Sequence, residues 1–275
     1  MTKILFIMFQ GGHSNLKTWN EYTESKFLDK LKKLGDVYTY QDKTYNIWYY
    51  DKTHPEYKDY DPDIDIDLSY VIPDKHIKIV YDDILLRYKN IDEYKLIPIG
   101  WSLGCWLALY FAQVYSSKCS HVILLESSLF TPNNMKIRLD NLASSNLKDL
   151  QKWNEKSITN AKYKEMLQNW KTNNSNIEDA NKIRDINTYI RALFISNHLN
   201  LTFSVPTLAF FNLKKIIKDN DLIKNKQTKD EVKILQKLNP TNYKAYFFIN
   251  TSHYIFDKER PANKIIKKIK KIIKN

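Results

Sequence analysis

The stretch KLIPIGWSLGCWLALYF, residues 95–111, decides how this chain is read. Its polar centre, Ser102, stands between Gly100 and Gly104, two of only 5 glycines in 275 residues. An apolar run, LIPI, leads into it and a second, WLALYF, leads out. Where a strand gives way to a helix in a very tight turn, the apex residue is held in a strained conformation, and side chains two positions either side of it collide with neighbouring backbone. Glycine at both places removes the collision. The spacing therefore predicts a strand over residues 95–99, a sharp bend at Ser102, and a helix over residues 101–115. The serine is presented at the carboxyl edge of a sheet, beside a helix N-terminus whose free N–H groups favour developing negative charge.

Outward from this bend the pattern alternates between strand and helix. Residues 3–9 form a continuous β-branched and aromatic run and predict the first strand, followed by the turn QGGHSN and a helix over residues 21–34 that Gly35 ends. Residues 36–50 read as a second strand with a tyrosine-rich loop, and residues 73–91 as a helix opening on proline. Further strands are expected at residues 121–125, 206–211 and 243–249, with a polar, lysine-rich helix between the last two. Over residues 132–203 the strand signal is replaced by helical segments carrying Trp153, Met166, Leu167, Trp170 and Tyr189, so this block reads as an insertion. Alternation of this kind predicts an α/β fold with a mostly parallel sheet and helices on both faces.

An apolar content of 43% with 13% aromatic residues excludes a disordered chain, and 275 residues suffice for one core with an insertion. The apolar run Ile4 to Phe9 is too short for a membrane span or the core of a signal peptide. Cys105 and Cys119 make neither a disulfide framework nor a metal-ligand spacing, and a reducing, cytoplasmic setting is expected. The net charge of +12 is concentrated at one end: residues 258–275 hold seven lysines and Arg260 against Glu259 alone. Ile265, Ile266, Ile269, Ile272 and Ile273 recur there at helical spacing, which predicts a helix docked on the core with a solvated lysine face. Weak surface association through this helix stays open, and no nucleic-acid partner is expected. The acidic repeat DPDIDIDL, residues 61–68, lacks the glycine turn and distal glutamate of a calcium loop and reads as an exposed edge. No metal site is expected.

With its strand–GxSxG–helix arrangement, the chain resembles the α/β-hydrolase superfamily over nearly its whole length. The resemblance implies a hydrolase core over residues 1–131 and 204–275, a helical lid over residues 132–203, and a sheet lacking the family's first two strands. It makes Ser102 the nucleophile of a nucleophile elbow. It assigns Gly11 and Gly12 to the oxyanion loop, with the N–H groups of Gly12 and Leu103 as donors to the substrate carbonyl, each worth about 3 to 4 kcal/mol of barrier. The family's usual His-Gly at this loop is here Gln10-Gly11, with His13 displaced downstream as a candidate substrate contact.

A serine hydroxyl needs a base, and six histidines are present. The resemblance places the base just after the last strand, where FFINTSHYIF supplies His253. His54, His76, His121 and His198 fall where structural or surface roles are expected. The acid that orients the imidazole is expected after the penultimate strand, at Asp219 or Asp221. Glu126, at the end of VILLE, is the other position used in some members of the family. The implied function is a serine hydrolase cleaving an ester or thioester with an apolar acyl group, without a cofactor. A lyase or acyltransferase using the same trio stays open, as does a non-catalytic binding protein on the same scaffold.

Overall fold

The computed structural model describes residues 3–11, 16–20, 23–43, 68–127, 203–217 and 219–274. The chain divides into two compact units, one comprising residues 1–40, 80–131 and 200–275, the other residues 41–79 and 132–199. The helical insertion with Trp153, Met166, Leu167, Trp170 and Tyr189, and all but the last residue of the acidic repeat, lie outside the described residues. In the second unit, a 3-10 turn spans Leu68–Val71, and the buried His76 ring is paired through Nδ1 with the Tyr70 carbonyl at 3.0 Å. His76 is a structural histidine, as its sequence position implied.

The first unit carries the sheet. Its strands are β1 (Lys3–Phe9), β2 (Asp36–Tyr38), β3 (Tyr94–Trp101), β4 (Val122–Leu125), β5 (Thr207–Leu213) and β6 (Tyr243–Ile249). They lie in the order β2-β1-β3-β4-β5-β6, and every neighbouring pair is parallel. The described helices are α1 (Phe27–Lys32), α2 (Pro73–Arg87), α3 (Gly104–Val114), α4 (Asp219–Leu238) and α5 (Glu259–Ile272). This is the doubly covered parallel sheet that the alternation predicts. The apolar runs at residues 5–9 and 122–125 are continuous because both faces of those strands are buried.

One face is a single core in which Phe6 and Met8, Ile97, Ile99 and Trp101, Ile123 and Leu125, and Phe210 meet α1 and α5 through Phe27, Leu31, Ile265 and Ile269. On the other, Phe9 meets Phe111 of α3 at 5.5 Å between ring centroids, and Tyr81 of α2 packs edge-on to Phe111 at 6.1 Å. Helix α4 packs against β5 and β6.

Helix α1 is shorter than the periodicity predicts, and the reason is tertiary. Lys26 is in the left-handed region with φ 48°. Ser25 is drawn across to the other end of the chain, its N–H donating to the Asp257 carbonyl at 2.8 Å and its hydroxyl to the Phe256 carbonyl. The helix therefore starts only at Phe27. Likewise Trp101 belongs to the strand and α3 begins at Gly104, because the bend consumes the intervening residues.

Phe256 fastens the C-terminal segment into this core. Its ring stacks on Trp19 at 4.9 Å and touches Phe27 at 5.4 Å and Trp101 at 5.7 Å. Truncating a fully buried aromatic of this kind costs about 3–5 kcal/mol. Phe256→Ala is expected to lower the urea midpoint accordingly, whereas Leu86→Ala, at a side chain 81% exposed, leaves it within about 0.5 kcal/mol.

Candidate active site

The bend after β3 has the geometry that the glycine spacing demands. Ser102 has φ 51°, a left-handed conformation that costs a non-glycine residue of order 1–3 kcal/mol. Two main-chain bonds hold it there: Ser102 N–H donates to Leu125 O at 3.0 Å, and Cys105 N–H donates to Ser102 O at 3.1 Å. A Cβ on Gly100 would lie 2.4 Å from both Cys105 Cα and Gly104 O. One on Gly104 would lie 2.3 Å from Phe9 O and 2.4 Å from Gln10 O. Both glycines are therefore required by backbone atoms that have nowhere to move.

The loop after β1 runs directly beside the serine, since a Cβ on Gly11 would come within 3.2 Å of Ser102 Cβ and 2.7 Å of the Trp101 ring. Gln10 anchors the start of that loop: its Nε2 donates to Tyr40 O at 2.8 Å in a buried position. Gln10 thus tethers the start of this loop to the flank of β2. Gly12 and His13 lie outside the described residues. Leu103 is the cap residue of α3, where first-turn N–H groups have no intrahelical acceptor.

His253 follows β6 and comes to the same end of the sheet. The indole N–H of Trp101, the residue before the serine, donates to the His253 carbonyl at 3.0 Å. The Trp101 ring lies 5.3 Å from the His253 ring and 4.5 Å from the Tyr254 ring. Among the described residues no hydrogen bond joins Ser102 Oγ to the imidazole, a contact that is often long before substrate binds. Although His253 keeps an exposed face, the protein around it holds its pKa below the ordinary histidine value, and the charge of Lys214 adds to the effect.

The three carboxylates are placed differently. Asp221 accepts the Ile217 N–H at 3.2 Å in the first turn of α4, and the side chain of Asp219 is outside the described residues. Glu126 stands at the end of β4 with φ 52°, its Oε2 accepting the Asn212 N–H at 2.5 Å. Neither Glu126 nor Asp221 hydrogen-bonds to His253. Burial pushes the Glu126 carboxyl up to about 7, against the Asn212 hydrogen bond and the Lys214 charge, which pull it down.

Asn212 is the residue that sequence reasoning missed. Its Nδ2 donates to Thr251 O at 2.7 Å and its Oδ1 accepts Thr251 N–H at 3.0 Å, a two-point clamp on the loop leading to His253. Glu126, Asn212 and Thr251 thereby form a brace from β4 through β5 to the histidine loop. Its signal was a polar side chain inside the apolar run TLAFFNL. Cys105 is structural: its buried thiol lies 3.2 Å from Gly100 O, and burial raises its pKa well above the usual thiol value.

No family model matches the chain, and no curated protein matches it in sequence. Among solved structures it is similar to MenH from S. aureus, with a TM-score of 0.54 at 17% identity over 100% of this chain and 94% of that one. The peroxisomal alpha-beta-hydrolase Lpx1 from Saccharomyces cerevisiae matches with a TM-score of 0.52 at 14% identity, over 99% of this chain and 77% of that one. A hydrolase from Oleispira antarctica matches with a TM-score of 0.54 at 13% identity, over 99% and 91%. At these identities the likeness is one of fold.

The raised Glu126 pKa fixes the sign of a pH effect. A carboxyl that binds its proton more tightly folded than unfolded leaves stability untouched below its unfolded pKa, and its penalty is fully present above the folded value. The window runs from the ordinary carboxylate value of 4.5 to about 7. Glu126→Gln is therefore expected to stabilise the protein above about pH 8 by some 2 kcal/mol more than at about pH 4, the shift being discounted for the part of the side chain that reaches water. Urea melts at the two pH values measure it.

Proposed function

We propose that this chain, whose fold is that of the α/β-hydrolases, is a serine hydrolase cleaving a carboxylic ester or thioester with an apolar acyl group through an acyl-enzyme on Ser102. One observation carries the reading: the serine sits strained at the apex of the bend, and the tryptophan beside it grips the segment that bears His253. Ser102 Oγ attacks the carbonyl carbon while His253 takes its proton. The oxyanion that forms is received by the N–H groups of Leu103 and Gly12. His253 then returns the proton to the leaving oxygen or sulfur, and water, activated by the same imidazole, splits the acyl-enzyme.

In this reading the hydrolase core comprises residues 1–131 and 204–275, with residues 132–203 as its lid. The orienting acid is assigned to Glu126 in preference to Asp219 and Asp221, acting through the Asn212–Thr251 brace rather than by touching the ring. Asp221 is already engaged with Ile217. Burial, with the charge of Lys214 adding to it, keeps the imidazole neutral, and so able to accept a proton, to lower pH. Two buried free cysteines accord with a cytoplasmic setting.

A second reading has its own observation. His253 has a cation as its charged neighbour and, among the described residues, no carboxylate on its ring, which suits a binding protein on this scaffold. A fluorophosphonate probe separates the two. The hydrolase labels at Ser102, with labelling abolished in Ser102→Ala and slowed at least hundredfold in His253→Ala; a binding protein does not label. The acid limb of kcat/KM for p-nitrophenyl esters is expected to inflect below the ordinary histidine value of 6.5. In Lys214→Glu it moves upward, because a cation that opposes the imidazolium is replaced by an anion that favours it.

A further inference from the structure

A recess of about 620 Å³ opens between the carboxyl end of β6 and the start of α5. One wall is apolar, formed by Phe247, Phe248 and Ile249; the other is cationic, formed by Lys258, Arg260 and Lys264. Strand β6 is the edge of the sheet, and two of its large apolar side chains project to solvent, Phe247 at 45% and Ile249 at 70% exposure. The cationic wall continues beyond the recess. Arg260, Lys264, Lys268 and Lys271 recur at helical spacing along one side of α5, opposite the buried Ile265 and Ile269. Lys264 Nζ lies 6.0 Å from the Phe248 ring centroid and Lys268 Nζ 4.4 Å from that of Tyr246, so this row of cations runs alongside the edge strand.

Lys258 is paired to Glu24 and Asp257, and Glu259 to Lys30, whereas Lys267 and Lys270 on the neighbouring face of α5 carry no ion pair among the described residues. Arg260, Lys264, Lys268 and Lys271 have no acidic partner among the described residues. Beyond the contacts of Lys264 with Phe248 and Lys268 with Tyr246, these cations have no counter-charge among the described residues, and Ile249 and the outer part of Phe247, whose ring stacks on Phe211, stand out from the other face of the same edge strand.

We propose that this edge, the recess with its protruding side chains and the row of α5 cations, docks on the surface of an anionic lipid bilayer. Phe247 and Ile249 enter the boundary between headgroups and acyl chains, and the cations meet the phosphate and carboxylate groups at headgroup level. A free soluble anion would satisfy the recess but leaves Lys268 and Lys271, which do not line it, without a counterpart. A nucleic acid would use the cations and offer nothing to Ile249. No helix among the described residues is long and apolar enough to cross a membrane; the attachment proposed is one to the bilayer surface. Ser102 and His253 take no part in it, and the proposal stands apart from the hydrolase reading.

The test is co-flotation of the full chain with vesicles of phosphatidylcholine alone or of phosphatidylcholine mixed with phosphatidylserine. Binding only to the mixed vesicles is expected. The charge-reversed pair Lys264→Glu/Lys268→Glu weakens it at least tenfold, and Ile249→Ser, at an exposed position, weakens it about tenfold. Circular dichroism and fluorophosphonate labelling should be the same in all three proteins; should the charge-reversed pair fail to fold, Ile249→Ser decides. Equal flotation with neutral vesicles, flotation with neither, or binding that both variants retain overturns the proposal. So does a protein that ignores vesicles but binds duplex DNA through the same lysines.

Discussion

Two backbone segments converge at Gly104 more closely than any side chain allows. The carbonyls of Phe9 and Gln10 and the turn after Trp101 share a space in which one added carbon would sit 2.3 Å from an oxygen. That contact locks the end of β1 to the start of α3. It thereby sets the loop after β1 beside the serine and holds Ser102 in its left-handed conformation. The strain is sustained because the neighbouring strands over-determine the bend: Gly100 is in register with Leu124 on one side and Phe9 on the other, and Leu125 accepts the serine's own N–H.

On this platform the site is assembled by grips on main chain. Trp101 holds the His253 carbonyl, Asn212 holds the main-chain N–H and carbonyl of Thr251, and Gln10 holds the Tyr40 carbonyl. Each is a side chain from a strand end reaching a peptide group of a neighbouring loop, so the loops inherit the rigidity of the sheet. The electrostatics follow the same economy. Burial and Lys214 keep His253 neutral, while burial alone raises the Glu126 carboxyl toward neutrality.

Much of this was legible in the residues. The bend at Ser102 follows from glycines at two fixed offsets between apolar runs, because the collision they avoid is local. The docked terminal helix follows from isoleucines at helical spacing, and Ile265 and Ile269 are fully buried. What escaped the reading depends on partners distant in the chain. The late start of α1 is imposed on Ser25 by carbonyls at Phe256 and Asp257, which no local pattern encodes. The role of Asn212 depends on Thr251, and that of Trp101 on His253, and both pairs exist only once β6 has been added to the sheet. Gln10 looked like a lost histidine; its amide reaches instead a carbonyl just beyond the next strand, at Tyr40.

The position of Phe256 bears on when the molecule can exist at all. Its ring closes a cluster begun by Trp19 and Phe27 near the other terminus, and α5 adds two further buried isoleucines to the same core. These partners are far apart along the chain, so bringing them together carries a large loop-closure cost, and contacts of this kind form late in folding. Until they form, Trp19, Phe27 and Trp101 lack the ring that covers them, and an intermediate caught at that stage exposes aromatic surface on which copies can associate. The grip of Trp101 on the His253 carbonyl belongs to the same late step.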